Sequence, residues 1–204
     1  MRHPRGRVLI FAKAPVPGRV KTRLSSRYGS RGAARLYQCL LRRTLELACG
    51  AGLAPVELWC APDTRHPFLA ACRRDFAVPL ISQPGGDLGR RMDRALAATL
   101  ERRDYGLLIG GDCLLSRDDL VRALDALAAG REAVFKPAYD GGYLLVGLSR
   151  PCPALFQGIP WGSDRVMAAT RRRLIRAGLD WTELPPGWDV DYPADVKRWR
   201  RGSF

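Results

Sequence analysis

Short apolar runs alternate along this chain with longer stretches in which apolar residues return every three or four positions. The runs at residues 8–12, 56–60, 78–82, 106–110, 133–136 and 143–148 have the length and the bulky, partly β-branched content of buried strands. Between them Leu88, Met92, Ala95, Leu96, Thr99 and Leu100 form an i, i+4, i+7, i+8 stripe beside Arg90, Arg91, Arg94 and Arg102, which predicts an amphipathic helix. Residues 33–48 read likewise, with Leu36, Tyr37, Leu40, Leu41 and Leu47 opposite Arg35, Arg42 and Glu46, and Gly50 and Gly52 as the stop. A Ser116-x-x-Asp119 signal starts a helix through Leu120, Ala123, Leu124 and Leu127 that Gly130 ends; another follows Ser163 through Val166, Met167, Thr170 and Leu174 to Gly178. Residues 151–160 read as a loop or short helical excursion. Strands alternating with helices predict a layered α/β fold. No repeat, low-complexity tract or linker divides the chain, and its 204 residues suit one domain burying roughly 70% of the extended surface.

Charge sharpens this picture. A formal net charge of +14 and a pI near 10.3 call for an acidic partner: nucleic acid, an anionic membrane or a phosphorylated small molecule. Of 34 basic residues 30 are Arg, and pairs such as Arg42-Arg43, Arg73-Arg74 and Arg102-Arg103 fall on outer helix faces as solvent coating. The four lysines, Lys13, Lys21, Lys136 and Lys197, are therefore informative, because an ammonium meets phosphate as a compact point charge where guanidinium prefers a planar fork. Lys13-Ala-Pro-Val-Pro-Gly-Arg-Val-Lys-Thr-Arg-Leu24 sets four cations on a Gly/Pro-stiffened loop directly after the first strand. That is the layout of a phosphate cradle; a solvated basic loop is the competing reading. The six cysteines contain no C-x-x-C pair and fit reduced thiols, hence a reducing cytoplasm. No apolar run reaches the 18 or so residues of a membrane span, and no signal-peptide core follows the first residues, so a soluble, unexported protein is expected.

In an open parallel sheet, ligands bind beyond the carboxyl ends of the strands. Five such segments are rich in Gly or charge: residues 13–24, 83–92, 110–113, 136–143 and 161–164. Asp112 ends a strand without serving as a helix start, which makes it the first metal-ligand candidate, since hard divalent cations take carboxylate oxygens and share them with substrate phosphates. Asp191 is the second, although an Asp before Tyr-Pro-Ala-Asp is also a good helix cap. Asp140-Gly141-Gly142 either lets backbone approach a ligand closely or makes a hairpin turn. His3 and His66, the only histidines, give no support to a histidine triad or a zinc site. The chain has no G-x-x-x-x-G-K-[ST] and no G-x-G-x-x-G after a strand, which counts against P-loop hydrolysis and dinucleotide binding.

Taken in order, Phe11-Ala-Lys-Ala-Pro-Val-Pro-Gly-Arg-Val-Lys-Thr-Arg-Leu24, Gly86-Asp-Leu-Gly-Arg-Arg-Met92, Gly110-Gly-Asp-Cys113, Lys136-Pro-Ala-Tyr-Asp-Gly-Gly-Tyr143, Ile159-Pro-Trp-Gly-Ser-Asp164 and Asp189-Val-Asp-Tyr-Pro-Ala-Asp195 resemble a known family over nearly the whole chain. It comprises bacterial transferases associated with radical-SAM and selenoprotein-like domains, within the glycosyltransferase A superfamily, some of them named as arsenosugar-biosynthesis glycosyltransferases. The same positions are similar to 2-phospho-lactate guanylyltransferases. Cys113-Leu114-Leu115 stands where relatives usually read Cys-Pro, Gly111 replaces a frequent Thr, and the D-x-D metal signature common among glycosyltransferases is read as absent.

The resemblance implies a single nucleotide-diphospho-sugar-transferase domain over residues 1–204, its mostly parallel sheet carrying helices on both faces. Residues from about 7 to 112 would hold the nucleotide and those from about 113 to 204 the acceptor. It implies a metal-dependent transferase with Mg²⁺ or Mn²⁺ on Asp112 and Asp191, and Lys13, Lys21, Arg23 and Asp112 as the catalytic group. Phe11, Ala12, Lys13, Pro15, Gly18, Arg19, Lys21, Arg23, Gln83, Gly85, Gly86, Leu88, Gly89 and Arg90 would border the nucleotide. Lys136, Asp140, Gly141, Gly142, Trp161, Gly162 and Ser163 would border the small-molecule acceptor. The leading expectation is glycosyl transfer from a nucleotide-sugar. The alternatives are nucleotidyl transfer to a small phosphorylated acid with pyrophosphate release, a fold-alike without activity, and a non-enzymatic nucleic-acid binder, which would have to manage without aromatic interleaving or a recognised reading module.

Overall fold

The computed structural model describes residues 1–202. Its strands are β1 (Gly6–Lys13), β2 (Val56–Ala61), β3 (Leu80–Ser82), β4 (Tyr105–Gly110), β5 (Ala133–Pro137), β6 (Tyr143–Leu148) and β7 (Trp181–Glu183). They form one sheet in the order β3-β2-β1-β4-β6-β5-β7, in which β6 alone runs against the rest. Six helices accompany it: α1 (Ser25–Gly50), α2 (Pro67–Phe76), α3 (Leu88–Leu100), α4 (Arg117–Ala128), α5 (Val166–Arg176) and α6 (Pro193–Arg200). The expected α/β architecture with a mostly parallel sheet is the observed one.

The layers follow from the side-chain alternation of β1. Val8 and Ile10 face α1, α2 and α4 through Leu41, Leu45, Leu69, Cys72, Leu120 and Leu124, while Leu9 faces α3 and α5 through Leu96, Met167 and Leu174. A strand covered on both faces reads as a continuous apolar run, which is why β1 and β4 were legible without an alternating pattern. A third cluster, with Leu24 and Leu40 against Val190 and Val196, ties α6 and the segment before it to the start of α1. This contact brings Lys21 and Asp191, 170 positions apart in the chain, together at one end of the sheet.

The departures from expectation have local causes. α1 begins at Ser25 rather than near residue 33, with a break at Gly29 (φ 67°, ψ 164°) that an L side chain would resist. β3 is limited to three residues because Pro79, lacking an N–H, accepts from Leu58 N without donating in return. β7, three residues before Pro185-Pro186, and α2, begun by His66 with Pro67 in its first turn, were not foreseen. His66 Nδ1 accepts from Phe68 N (3.2 Å), and the buried His3 Nδ1 lies 3.0 Å from the Tyr105 hydroxyl, so both histidines have structural positions. All six cysteines are free thiols.

Candidate active site

A cleft of about 1180 Å³ opens at the carboxyl ends of β1 and β4, where β6 begins. At its centre is Lys21, one of two non-glycine residues with positive φ (45°) among the described residues. Its left-handed backbone turns the side chain inward, where it is only 5% exposed and its ammonium bridges Asp112 Oδ2 (2.7 Å) and Asp191 Oδ1 (2.8 Å). Arg23 Nη1 holds the second oxygen of Asp191 at 2.8 Å. Burial alone would lower the Lys21 pKa, but Asp112 and Asp191 outweigh it and the net shift is upward. Asp191 is the counterpart: burial pushes it up, yet Lys21 and Arg23 hold it below the ordinary carboxylate range.

Asp191 is not the helix cap that its sequence context allowed. That work falls to Asp195, whose Oδ2 accepts from Tyr192 N (2.7 Å) and Asp191 N (3.2 Å) at the start of α6, leaving the Asp191 carboxylate to the cleft. Asp112 follows β4 through Gly111, whose N–H bonds Phe11 O at 2.9 Å; a Cβ on Gly111 would press on Leu41 at 2.8 Å. Gly111 thus allows β1, β4 and α1 to converge beside the carboxylate.

Most of the expected residues meet here. Phe11, Ala12, Lys13, Arg19, Lys21, Arg23, Gln83, Leu88, Asp112, Asp140, Gly142, Trp161, Gly162, Ser163 and Asp191 all line the cleft. Lys13 and Arg19 are exposed there and meet no carboxylate among the described residues. Lys13 N donates to the buried Tyr37 hydroxyl (2.8 Å), which fixes the backbone at the end of β1. Gln83 is committed to structure: its amide donates to Trp59 O (2.9 Å) and Ala12 O (3.2 Å), and its oxygen accepts from Arg91 (3.2 Å).

Several expected residues stand elsewhere. Lys136 is buried, its ammonium divided between Asp119 Oδ1 (2.7 Å) and Pro185 O (2.8 Å), so it anchors β5 to α4 and the loop after β7 instead of reaching an acceptor. Pro15, Gly18, Gly85 and Gly86 shape the loops behind the cleft without lining it. Gly89 lies inside the protein, where a Cβ would overlap Phe156 O and the Trp161 ring. Arg90 points away and Arg91 lines the wall, as helical spacing from Leu88 and Met92 requires. Gly141 (φ 88°) makes the hairpin turn between β5 and β6 with Asp140 Oδ1 accepting from Gly142 N (2.9 Å); its bare Cα also admits the Asp164 carbonyl. Of the two sequence readings of that tripeptide the hairpin turn is the one observed, and the close approach that Gly141 permits is to the Asp164 backbone.

Sequence reasoning missed Asp189. The D-x-D signature read as absent is in fact in the chain, at Asp189-Val190-Asp191, and the strand-like bridge of Asp189 to Cys113 brings it beside Asp112. Burial and then Asp191 raise the Asp189 carboxyl to about 6 against the opposing pull of Lys21. Also missed was an aromatic wall. Tyr139 stacks on Trp188 (4.3 Å between ring centroids), Arg198 covers the Trp188 ring at 3.8 Å, and the exposed Tyr192 lies under Arg23.

The cleft is thus divided by charge. Lys13, Arg19 and Arg91 stand on the side of β1 and α3, the Lys21 ion pairs occupy the middle, and Asp140, Asp164 and Asp189 with the aromatic wall form the side of β6 and the segment before α6. As to a divalent cation, no three His, Cys, Asp or Glu side chains among the described residues gather into a metal-holding group. Asp112 and Asp191 nonetheless reach one point from two sides, as their shared ammonium demonstrates. Two hard oxygen donors suit Mg²⁺ or Mn²⁺ when substrate phosphates complete the coordination, provided Lys21 gives way.

The family model for "Uncharacterized protein conserved in bacteria (DUF2064)" matches residues 44–163. A provisionally assigned nucleotide-diphospho-sugar transferase from Desulfovibrio desulfuricans G20 is 31% identical and superposes with a TM-score of 0.87 over 98% of this chain and 87% of that one. A nucleotidyl transferase from Methanothermobacter thermautotroptrophicus (13% identity, TM-score 0.67) and CMP:2-keto-3-deoxy-manno-octonic acid synthetase complexed with CTP (14%, 0.60) each share 97% of both chains. At those identities the likeness is one of fold alone. No curated protein matches the sequence.

Proposed function

This chain belongs to the family described as "Uncharacterized protein conserved in bacteria (DUF2064)", and from the cleft its residues build we propose a transferase that moves a glycosyl group from a nucleotide-sugar to a small hydroxylated acceptor. The observation that carries the proposal is the division of charge within one cavity: cations that meet no carboxylate among the described residues suit a diphosphate on one side, and carboxylates with exposed rings on the other suit a neutral, polyhydroxylated partner.

In this reading Lys13 and Arg19 take the donor's phosphates, and the Lys21 ammonium gives way from between Asp112 and Asp191 to meet a phosphate oxygen. A divalent ion, when bound through Asp112 and Asp191, supplies electrophilic assistance to the departing diphosphate. The acceptor oxygen attacks the anomeric carbon as the bond from that carbon to the diphosphate oxygen breaks. Its electron pair leaves on the nucleoside diphosphate, and the hydroxyl proton passes to the Asp189 carboxylate, which makes no ion pair among the described residues. Preorganised charge and alignment supply the rate, with no covalent enzyme intermediate.

A second reading, nucleotidyl transfer, is favoured by the fold shared with two nucleotidyl-transferring proteins. It would require an acceptor to approach past Asp140, Asp164 and Asp189, which repel the small phosphorylated acid expected from the sequence. Chromatography of reactions containing nucleotide-sugars or nucleoside triphosphates, with Mn²⁺ and a panel of polyols, separates the two. The proposal expects nucleoside diphosphate to accumulate; pyrophosphate release from a triphosphate contradicts it.

A further inference from the structure

A second cavity, of about 370 Å³, lies on the opposite side of the loop that carries Trp161. Its walls are Gly158, Pro160, Ala169 and the arginines 165, 172, 173 and 176. Spacings of 4, 7, 8 and 11 residues from Arg165 set these side chains on one face of α5, and no carboxylate lines the cavity. Their neighbour Arg171, on another face, is fully engaged by Glu183 (2.6 and 2.9 Å). Among the described residues, by contrast, the guanidinium groups of Arg165, Arg172 and Arg176 meet no carboxylate. Arg173 is bound by Ala154 O (2.5 Å) and Gly158 O (3.4 Å), which uses carbonyl oxygens without reducing its charge.

We propose that this cavity is an anion site for a phosphate or diphosphate group, separate from the active-site cleft. Four like charges around one hollow repel each other, and a multiply charged anion reverses that penalty. Guanidinium forks match the oxygens of phosphate in pairs, and Arg173 is already oriented by the loop carbonyls. The concavity favours a compact anion over a membrane surface or a nucleic-acid strand, which would require an extended, flat or grooved basic face. Pro160 belongs to this cavity, while Trp161, Gly162 and Ser163 line the cleft, so a ligand here would grip the loop that forms one wall of the active site. Ile159, Val166 and Ala169, packed with Trp161 and Tyr143, are the solid connection between the two hollows.

The test is a titration with inorganic pyrophosphate followed by amide ¹H–¹⁵N spectra at constant ionic strength. Saturable shifts are expected at Gly158, Arg165, Ala169 and Arg173, unchanged in midpoint in Lys13→Ala/Arg19→Ala, in which the cleft cations are reduced. In Arg172→Glu/Arg176→Glu, with the remaining spectrum preserved, the same shifts should need at least about tenfold more pyrophosphate, and Arg172→Gln/Arg176→Gln should fall between. Shifts that vanish with the cleft variant, that persist in the Glu variant, or that sodium chloride reproduces at matched ionic strength overturn the proposal.

Discussion

Lys21 concentrates the electrostatics of the cleft in one side chain. Its positive φ is an uncommon conformation for a residue with a Cβ, and the backbone accepts it because the ammonium then neutralises two carboxylates that would otherwise face each other. Lys21→Gln should therefore destabilise the protein by about 1–3 kcal/mol in urea unfolding, part of it recovered by Asp112→Asn in the same chain. If the double variant is no more stable than the single, the carboxylates are not coupled through Lys21. Asp189 makes the converse prediction. Its folded pKa of about 6 lies above that of the unfolded chain, so the folded state binds the extra proton and stability falls as pH rises from about 4 to 6. Discounted for solvent access, Asp189→Asn should flatten that slope and gain about 1–2 kcal/mol at pH 7 in the metal-free protein. Asp191 acts in the other direction: its depressed pKa contributes stability above about pH 4 that is lost on further acidification. At this scale the sequence was readable where composition made a residue rare, as with lysines among arginines. Asp189 escaped because nothing local ties a carboxylate near the end of the chain to the end of β4, and only tertiary packing of α6 brings it there.

Elements position these groups through close approaches that glycine permits. Gly89 lets α3 press against residues 156–161, the loop that carries Trp161 into the cleft, and it has no positive φ to explain it otherwise. Gly89→Ala should cost about 1–3 kcal/mol by overpacking, whereas Gly85→Ala, with open space around its Cα, should change stability by under about 0.5 kcal/mol; thermal unfolding of both variants checks the contrast. The buried strands and the amphipathic helices α3 and α4 were legible because their periods are strong. β7 was not, since a three-residue strand before two prolines has too few positions to show a period; α2 buries only Leu69 and Cys72. Lys136 shows the limit of motif reasoning: its segment belongs to the cleft through Asp140 and Gly142, while its own side chain turns to Asp119 beneath α4. No local pattern distinguishes a lysine that serves a ligand from one that serves the core.

Across the whole molecule, the excess of positive charge is unevenly distributed. A chain of net charge +14 gathers Asp112, Asp140, Asp164, Asp189, Asp191 and Asp195 around one cavity, in which Lys13 and Arg19 meet no carboxylate among the described residues. Such a polarity within one cleft suits a substrate pair of opposite character, a polyanionic donor and an uncharged acceptor, and it does not suit a nucleic-acid strand, whose phosphates would meet the acidic residues. The central claim is that a nucleotide's phosphates lodge between the loop after β1 and the Asp112–Asp191 pair. Its most direct test is thermal unfolding with nucleoside diphosphates and nucleotide-sugars in Mn²⁺, for the parent chain and Lys13→Ala/Arg19→Ala. A donor at a hundredfold excess over its Kd should add about 2.7 kcal/mol and raise the parent Tm by roughly 5–10 °C. The variant should show less than half that shift. Equal shifts in both proteins, or no shift with any nucleotide, would contradict the account.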